Sequence, residues 1–233
     1  MRRIVPLILS AAALLSACDP TGNGAPTTVG SAHLRFANFV PDANGLTVID
    51  ASGNLFTNVT FTGTSLYKSL LADSEAVTVT QASPALTLGT DTLVLLADRR
   101  YTLYALGKTT AYRKYFATND TVLAAAGQYK VRFIHGIESY SPFNLDFYDD
   151  TTSSLSGLTP TWPGLAYGVG SLYIAVDTGV RRIRITKAGL TTPILDTVLA
   201  TAIPSGAVVT LVATNVVGAG AGIQVGAVTD TTP

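Results

Sequence analysis

Cysteine, methionine and tryptophan each occur once in 233 residues, and histidine twice. A single cysteine excludes an intramolecular disulfide and any thiolate-based zinc or iron–sulfur site. Charge is scarce too: 13% of residues are charged, with 15 Lys and Arg against 15 Asp and Glu. That neutral balance argues against a nucleic-acid partner, which calls for a basic patch or stripe. Few charges accompany disorder only when hydrophobicity is also low, and here 47% of residues are hydrophobic. The chain is apolar enough to bury a core. Its length fits one large domain or two of roughly a hundred residues each.

The lone cysteine sits in a telling place. Residues 1–18 read MRRIVPLILSAAALLSAC. Arg2 and Arg3 form a positive n-region, and Ile4 to Leu15 is an apolar run too short for a bilayer-spanning helix, which needs roughly 20 residues. Leu15-Ser16-Ala17-Cys18 resembles a bacterial lipobox, which implies cleavage after residue 17 and acylation of Cys18. The competing reading is an ordinary secretory signal with a chance cysteine. Acylation implies an anchored protein rather than one with a transmembrane helix. Loss of Arg2 and Arg3 with the signal leaves 13 basic residues against 15 acidic. Residues 18–30 are rich in Gly, Pro, Thr and Asn and read as a flexible tether.

From residue 31 onward strand signals dominate. The chain holds 33 threonines, and Thr, Val, Ile and Tyr favour strands. Short alternating runs with turn signals between them recur at roughly ten-residue spacing, as in His33–Asn38, Leu46–Asp50, Ala76–Gln81 and Tyr101–Gly107. No window outside the signal keeps a helical period. The expected fold is all-β, built as a β-sandwich.

The second half repeats the first. Leu34-Arg35-Phe36 recurs as Val131-Arg132-Phe133, 97 positions on. Ser65-Leu66-Tyr67 recurs as Ser171-Leu172-Tyr173, and Val77–Thr80 as Ile183–Thr186, both 106 on. Thr102-Leu103 recurs as Thr210-Leu211, 108 on. Matches in one order with a slowly growing offset indicate a duplication. Two similar domains are expected, over 31–120 and 128–229, joined near Ala124–Gly127. A single intertwined domain whose halves share sheets is the alternative.

The order of these pieces resembles the DUF4397 family of bacterial secreted and surface proteins, whose activity is unassigned. Val131-Arg132-Phe133-Ile134-His135 is similar to its opening V-R-V-V-H, and Pro41-Asp42-Ala43 to part of the A-S-P-D-A that follows. Ala188-Gly189 with Pro193-Ile194-Leu195-Asp196 matches its A-G-x-x-x-P-V-L-D, and Tyr101–Gly107 its Y-T-V-x-x-x-G. The resemblance implies tandem Ig-like or transthyretin-like sandwiches and brings no catalytic residues. The first repeat departs from it in carrying Asn38 where the second has His135.

Candidate chemistry is thin. His33 and His135 occupy unmatched positions and make a poor zinc pair. No G-x-S-x-G nucleophile turn occurs. Asp146, Asp149 and Asp150 offer carboxylates for calcium, although no D-x-D-x-D-G loop is present. The Trp162 loop, flanked by Pro160 and Pro163, reads as the best place for an exposed aromatic. With Tyr140 and Phe143 it forms the candidate ligand surface, and Cys18 is the candidate lipid-attachment site. The expectation is a non-enzymatic, lipid-anchored cell-envelope protein without cofactor, binding or structural in role. It would contact the membrane through its anchor and an envelope protein or glycan, but no nucleic acid. The alternative is a carbohydrate- or protein-binding surface module using the aromatic loops of the second repeat.

Overall fold

The computed structural model describes residues 30–199, 202–218 and 222–230. The expected signal peptide 1–17, Cys18 and the expected tether up to residue 29 lie outside them, as do residues 219–221. The first half supplies β1 (Ser31–Phe39), β2 (Leu46–Asp50), β3 (Gly53–Val59), β4 (Lys68–Leu71), β5 (Ser74–Gln81), β6 (Leu86–Val94), β7 (Arg100–Lys108) and β8 (Ala111–Thr118). The second supplies β9 (Gln128–Gly136), β10 (Leu145–Asp150), β11 (Trp162–Leu165), β12 (Ile174–Asp177), β13 (Arg182–Lys187), β14 (Pro193–Val198), β15 (Val208–Asn215) and β16 (Ile223–Thr229).

These strands make four sheets, none shared between the halves. In the first unit β4-β1-β7-β8 faces β3-β2-β5-β6, and in the second β12-β9-β15-β16 faces β11-β10-β13-β14. The orders correspond strand for strand. In each unit the opening strand runs parallel to a later one, β1 with β7 and β9 with β15. Alternation fills each core. Leu34 and Phe36 of β1, Leu103 and Ala105 of β7, Val48 of β2 and Val79 of β5 share one cluster. Val131, Phe133, Leu211, Ala213, Phe147 and Ile185 are their counterparts in the second unit.

The intervening residues of β1, β7, β9 and β15 are buried as well, several of them apolar, because the two units pack outer sheet against outer sheet. Ala37, Phe39, Tyr104, Leu106 and Ala117 form a third cluster with Ile134, Val212 and Val228. Ala37 pairs with Tyr104 and Ile134 with Val212 in the two parallel ladders, so the facing patches are copies of each other. That is the geometry of an isologous two-fold dimer, here within one chain.

Two buried arginines mark the pseudo-two-fold. Arg35 donates from Nε to Thr102 Oγ1 of its own unit, from Nη1 to the Thr229 carbonyl across the interface at 2.7 Å, and from Nη2 to the Asp230 carboxylate. Arg132 repeats the pattern on Thr210 Oγ1, the Thr118 carbonyl and Asn119 Oδ1. Each guanidinium lies over the tyrosine of the repeated Ser-Leu-Tyr motif, Tyr67 at 4.7 Å and Tyr173 at 4.5 Å. The copies differ in the acceptor. Asp230 accepts from Tyr173 and Thr210, whereas the Asn119 amide donates to Tyr67 and Thr102. One site is therefore an ion pair and the other a hydrogen bond from a cation to a neutral amide oxygen.

The units also share a direction. Arg35 meets Thr229 and Asp230, while farther along β1 the Phe39 carbonyl accepts from Thr214 and the Phe39 ring abuts Gly226. The starts of β1 and β9 therefore lie at one end of the molecule. At the other end Lys108 reaches across to Glu138 at 2.7 Å.

Asn38 and His135 occupy equivalent positions and do equivalent work. Asn38 Oδ1 accepts from the Val40 amide, and its Nδ2 donates to the Val59 carbonyl. His135 Nδ1 accepts from the Ile137 amide at 3.3 Å, and Nε2 faces the Phe143 carbonyl at 3.4 Å. Only the neutral ring with its proton on Nε2 satisfies both contacts. Burial pushes the histidine down from 6.5 to about 4, opposed in part by the Phe143 carbonyl.

Two outcomes follow from this packing. Asp230→Ala strands a buried guanidinium and should cost about 3–5 kcal/mol; urea denaturation followed by tyrosine fluorescence measures it, and a loss below 1 kcal/mol would refute the role given to the pair. His135 holds fewer protons folded than unfolded, so its contribution is complete above pH 6.5 and is lost as the pH falls toward about 4. The full loss is about 3 kcal/mol. His135→Asn, copying Asn38, should abolish that decline across the window in denaturation curves taken at several pH values.

Candidate functional site

Trp162 is buried, and this corrects its reading as an exposed binding aromatic. Pairing places it opposite Phe147, as Phe56 is opposite Val48 in the first unit. The two side chains are counterparts: Phe56 stacks on Phe36, and Trp162 packs on Phe133 with centroids 5.0 Å apart. The indole N–H donates to the Leu172 carbonyl. Pro163 is compatible with this because β11 is an edge strand, where a missing amide breaks no ladder.

Tyr140 and Phe143 remain at the surface, in and just after a single 3-10 turn (Glu138–Tyr140). Their rings lie 6.4 Å apart, and the Lys187 ammonium sits 3.9 Å from the Phe143 centroid. Phe143 is 43% exposed. Trp162 contributes nothing to this patch.

The three aspartates diverge instead of converging on a cation. Asp146 accepts from the amides of Gly164 and Gly189. Asp149 takes the Arg181 Nε and the Tyr129 hydroxyl. Asp150 caps the turn at Thr152 and pairs with Arg184; the Arg184 and Thr152 contacts hold its carboxyl below the usual range against the opposing effect of burial. Among the described residues no group of three or more His, Asp or Glu side chains is placed to hold a metal ion. His135 contacts backbone, not Asp146 or Glu138.

The sequence reading missed a cleft of about 450 Å³ between the units, at the end away from the start of β1. Ala111, Tyr112 and Arg113 of the β7–β8 hairpin form one wall, and Glu138, Ser141, Pro142 and Tyr167 the other. Two glycines shape it. Gly89 leaves room for the Tyr112 ring, and Gly107, at φ 88°, leaves room for the Tyr167 hydroxyl. Burial, reinforced by the Glu138 charge and opposed by Arg113, pushes Tyr167 up to about 12. Its hydroxyl is buried without a hydrogen-bond partner among the described residues. Tyr112 reaches Asp91, and burial pushes its phenol up as well. Lys108 holds Glu138, while Arg113 makes no ion pair among the described residues. The cleft thus offers two phenols, a cation, a carboxylate and a serine between two rigid walls, with Tyr140 and Phe143 neighbouring its Ser141-Pro142 side. Tyr112 and Arg113 are visible in the sequence as an aromatic–basic strand. Nothing local signals Tyr167, whose role depends on the docking of the units.

A second groove, of about 530 Å³, opens in the first unit between β3 and residues 63–68. In the second unit the indole of Trp162 bridges the corresponding gap.

No curated protein matches the chain in sequence. Among solved structures, the family-26 carbohydrate-binding module CBMbc of Eubacterium rectale Amy13K, in complex with maltoheptaose, is similar at 11% identity and TM-score 0.28. That match covers 87% of this chain and 98% of the other. Family-41 carbohydrate-binding modules from streptococcal virulence factors, described for α-glucan recognition, align at 11% identity and TM-score 0.26, over 82% of this chain and 96% of theirs. Likeness this loose carries no weight for ligand or mechanism. The profile of DUF4397, a domain of unknown function, matches residues 32–148, from β1 through the 3-10 turn into β10. The chain belongs to the DUF4397 family.

Proposed function

We propose that the chain is a non-enzymatic binding module of the bacterial cell envelope, anchored through acylated Cys18, whose ligand surface is the cleft between the two units. The cleft carries the reading. Ligand sites concentrate at domain interfaces, where a few polar groups converge between apolar walls, and this one combines Arg113, Glu138, Ser141, Tyr112 and Tyr167. Its walls come from different units locked by the buried arginine network, so binding spends little free energy on ordering them. A guanidinium without an ion pair among the described residues, beside two phenols, favours a polar ligand with an anionic or strongly accepting group, from a glycan or from an envelope protein. His135, Asp146, Asp149 and Asp150 are tied into structural hydrogen bonds, which supports binding over catalysis.

A glycan array and an envelope pull-down with the mature protein test this. Arg113→Ala should weaken the captured ligand about tenfold or more, the loss of one charge-assisted hydrogen bond. Phe143→Ala should weaken it if the ligand extends over the rim. Binding that survives Arg113→Ala unchanged would move the site elsewhere. The anchor is tested separately: intact mass of the membrane fraction should show an acylated N-terminal Cys18, and Cys18→Ala should shift the protein to the soluble fraction.

A further inference from the structure

We infer that the end of the molecule where β1 and β9 begin rests on the bilayer and lays a ring of exposed aliphatic side chains against it. This rests on the reading of Cys18 as the lipid-attachment site.

The aliphatic residues are placed by backbone hydrogen bonds. The chain enters β1 at Gly30, whose carbonyl accepts from Ala72, while the Ser31 carbonyl accepts from Asp98 and the Asp73 carbonyl from Leu95. Two turns therefore flank the point of entry, and they carry Leu71, Val94 and Leu96, 59–69% exposed. The second unit begins at the same end. There Leu199 donates to the Arg181 carbonyl, and Thr178 to that of Gly127. Val180 and Val198 are exposed beside them, and the segment linking the units adds exposed Val122 and Leu123. In each unit the same end is apolar, although the contributing residues differ. These seven are half of the fourteen large hydrophobic side chains exposed among the described residues, and such a concentration at one end marks a contact surface.

The covalent geometry selects the occupant. Only twelve peptide links separate Cys18 from Gly30, a reach of at most about 40 Å even when fully extended. An acylated Cys18 keeps this end close to the membrane at high effective concentration, so that even a weak contact stays populated. Asp73, Asp98 and Arg99 lie among the aliphatic residues, a mixed-charge rim that matches a zwitterionic surface and gives no reason to require anionic lipid. The cleft between the units would then face away from the membrane.

The test uses the full mature chain in phosphatidylcholine vesicles with brominated acyl chains, which quench tryptophan only within the bilayer. Trp162→Phe, copying Phe56, supplies a background without native tryptophan. In that background a Leu96→Trp reporter should be quenched and blue-shifted, and Leu190→Trp, in the β13–β14 turn at the opposite end, should not. In wild-type protein, hydrogen exchange over residues 70–74 and 94–98 should slow on adding vesicles. Equal quenching of both reporters, or no quenching at 96 while the acylated protein still floats with the vesicles, overturns the orientation. A blue shift at 96 that depends on protein concentration and not on lipid overturns it in favour of a second copy of this chain. An N-terminal mass without acyl groups overturns the anchor itself and is read before the vesicle experiment.

Discussion

Two guanidinium groups buried between the units govern the architecture. Arg35 and Arg132 each reach out of their own sandwich to a strand-end carbonyl and the following side chain of the other. Burying such charges is costly, and replacing them with hydrocarbon would often stabilise a protein. What they supply is register. Thr102, Tyr67 and Asp230 surround the Arg35 guanidinium, and Thr210, Tyr173 and Asn119 that of Arg132, so a displacement of the units by one residue would part each guanidinium from its acceptor on the other unit. The apolar patch of Ala37, Tyr104, Ile134 and Val212 supplies affinity without direction, and the arginines fix which arrangement it adopts. Every feature that spans the units, including the Lys108–Glu138 bridge and the cleft beside it, inherits that alignment.

The paired copies also display how one framework accepts different chemistry. A neutral imidazole in one unit and an amide in the other make the same two backbone contacts. Phenylalanine and indole fill the same core position, but only the indole ties the gap beside it shut. A carboxylate and an amide receive equivalent guanidinium groups after the hydroxyl bonds around them reverse. In the first and third cases the number of satisfied donors and acceptors is kept while the charge or acid sensitivity changes; in the second the indole adds one donor and its acceptor.

Much of the fold was legible in the sequence because strands announce themselves through alternation and turns, and the duplication through its ordered matches. The outer-sheet strands were harder. Tyr101–Leu106 reads as simply buried, and nothing in it says that Leu103 faces one core while Tyr104 faces another. The Arg35–Asp230 contact spans 195 positions and leaves no local trace. Tyr140 and Phe143 lie at the surface, as aromatics in a loop do, whereas Trp162 is buried; prolines around a tryptophan suggest a loop, but an edge strand tolerates them equally. Tyr167 and Glu138 acquire their setting only when the units dock. The acidic run at 146–150 looked like a unit because sequence proximity ignores that alternate strand residues point to opposite faces.

The pseudo-two-fold has a further consequence, for the chain cut in two. Each sandwich buries one side of its outer sheet in its own core and lends the other side to its sibling, so neither half is complete as a soluble particle. Severed within residues 119–127, the halves would carry matching adhesive faces and reciprocal arginine hooks. Such fragments have the design of a split protein that reassembles by complementation, with the difference between Asp230 and Asn119 as the feature that tells a proper pair from two copies of the same half.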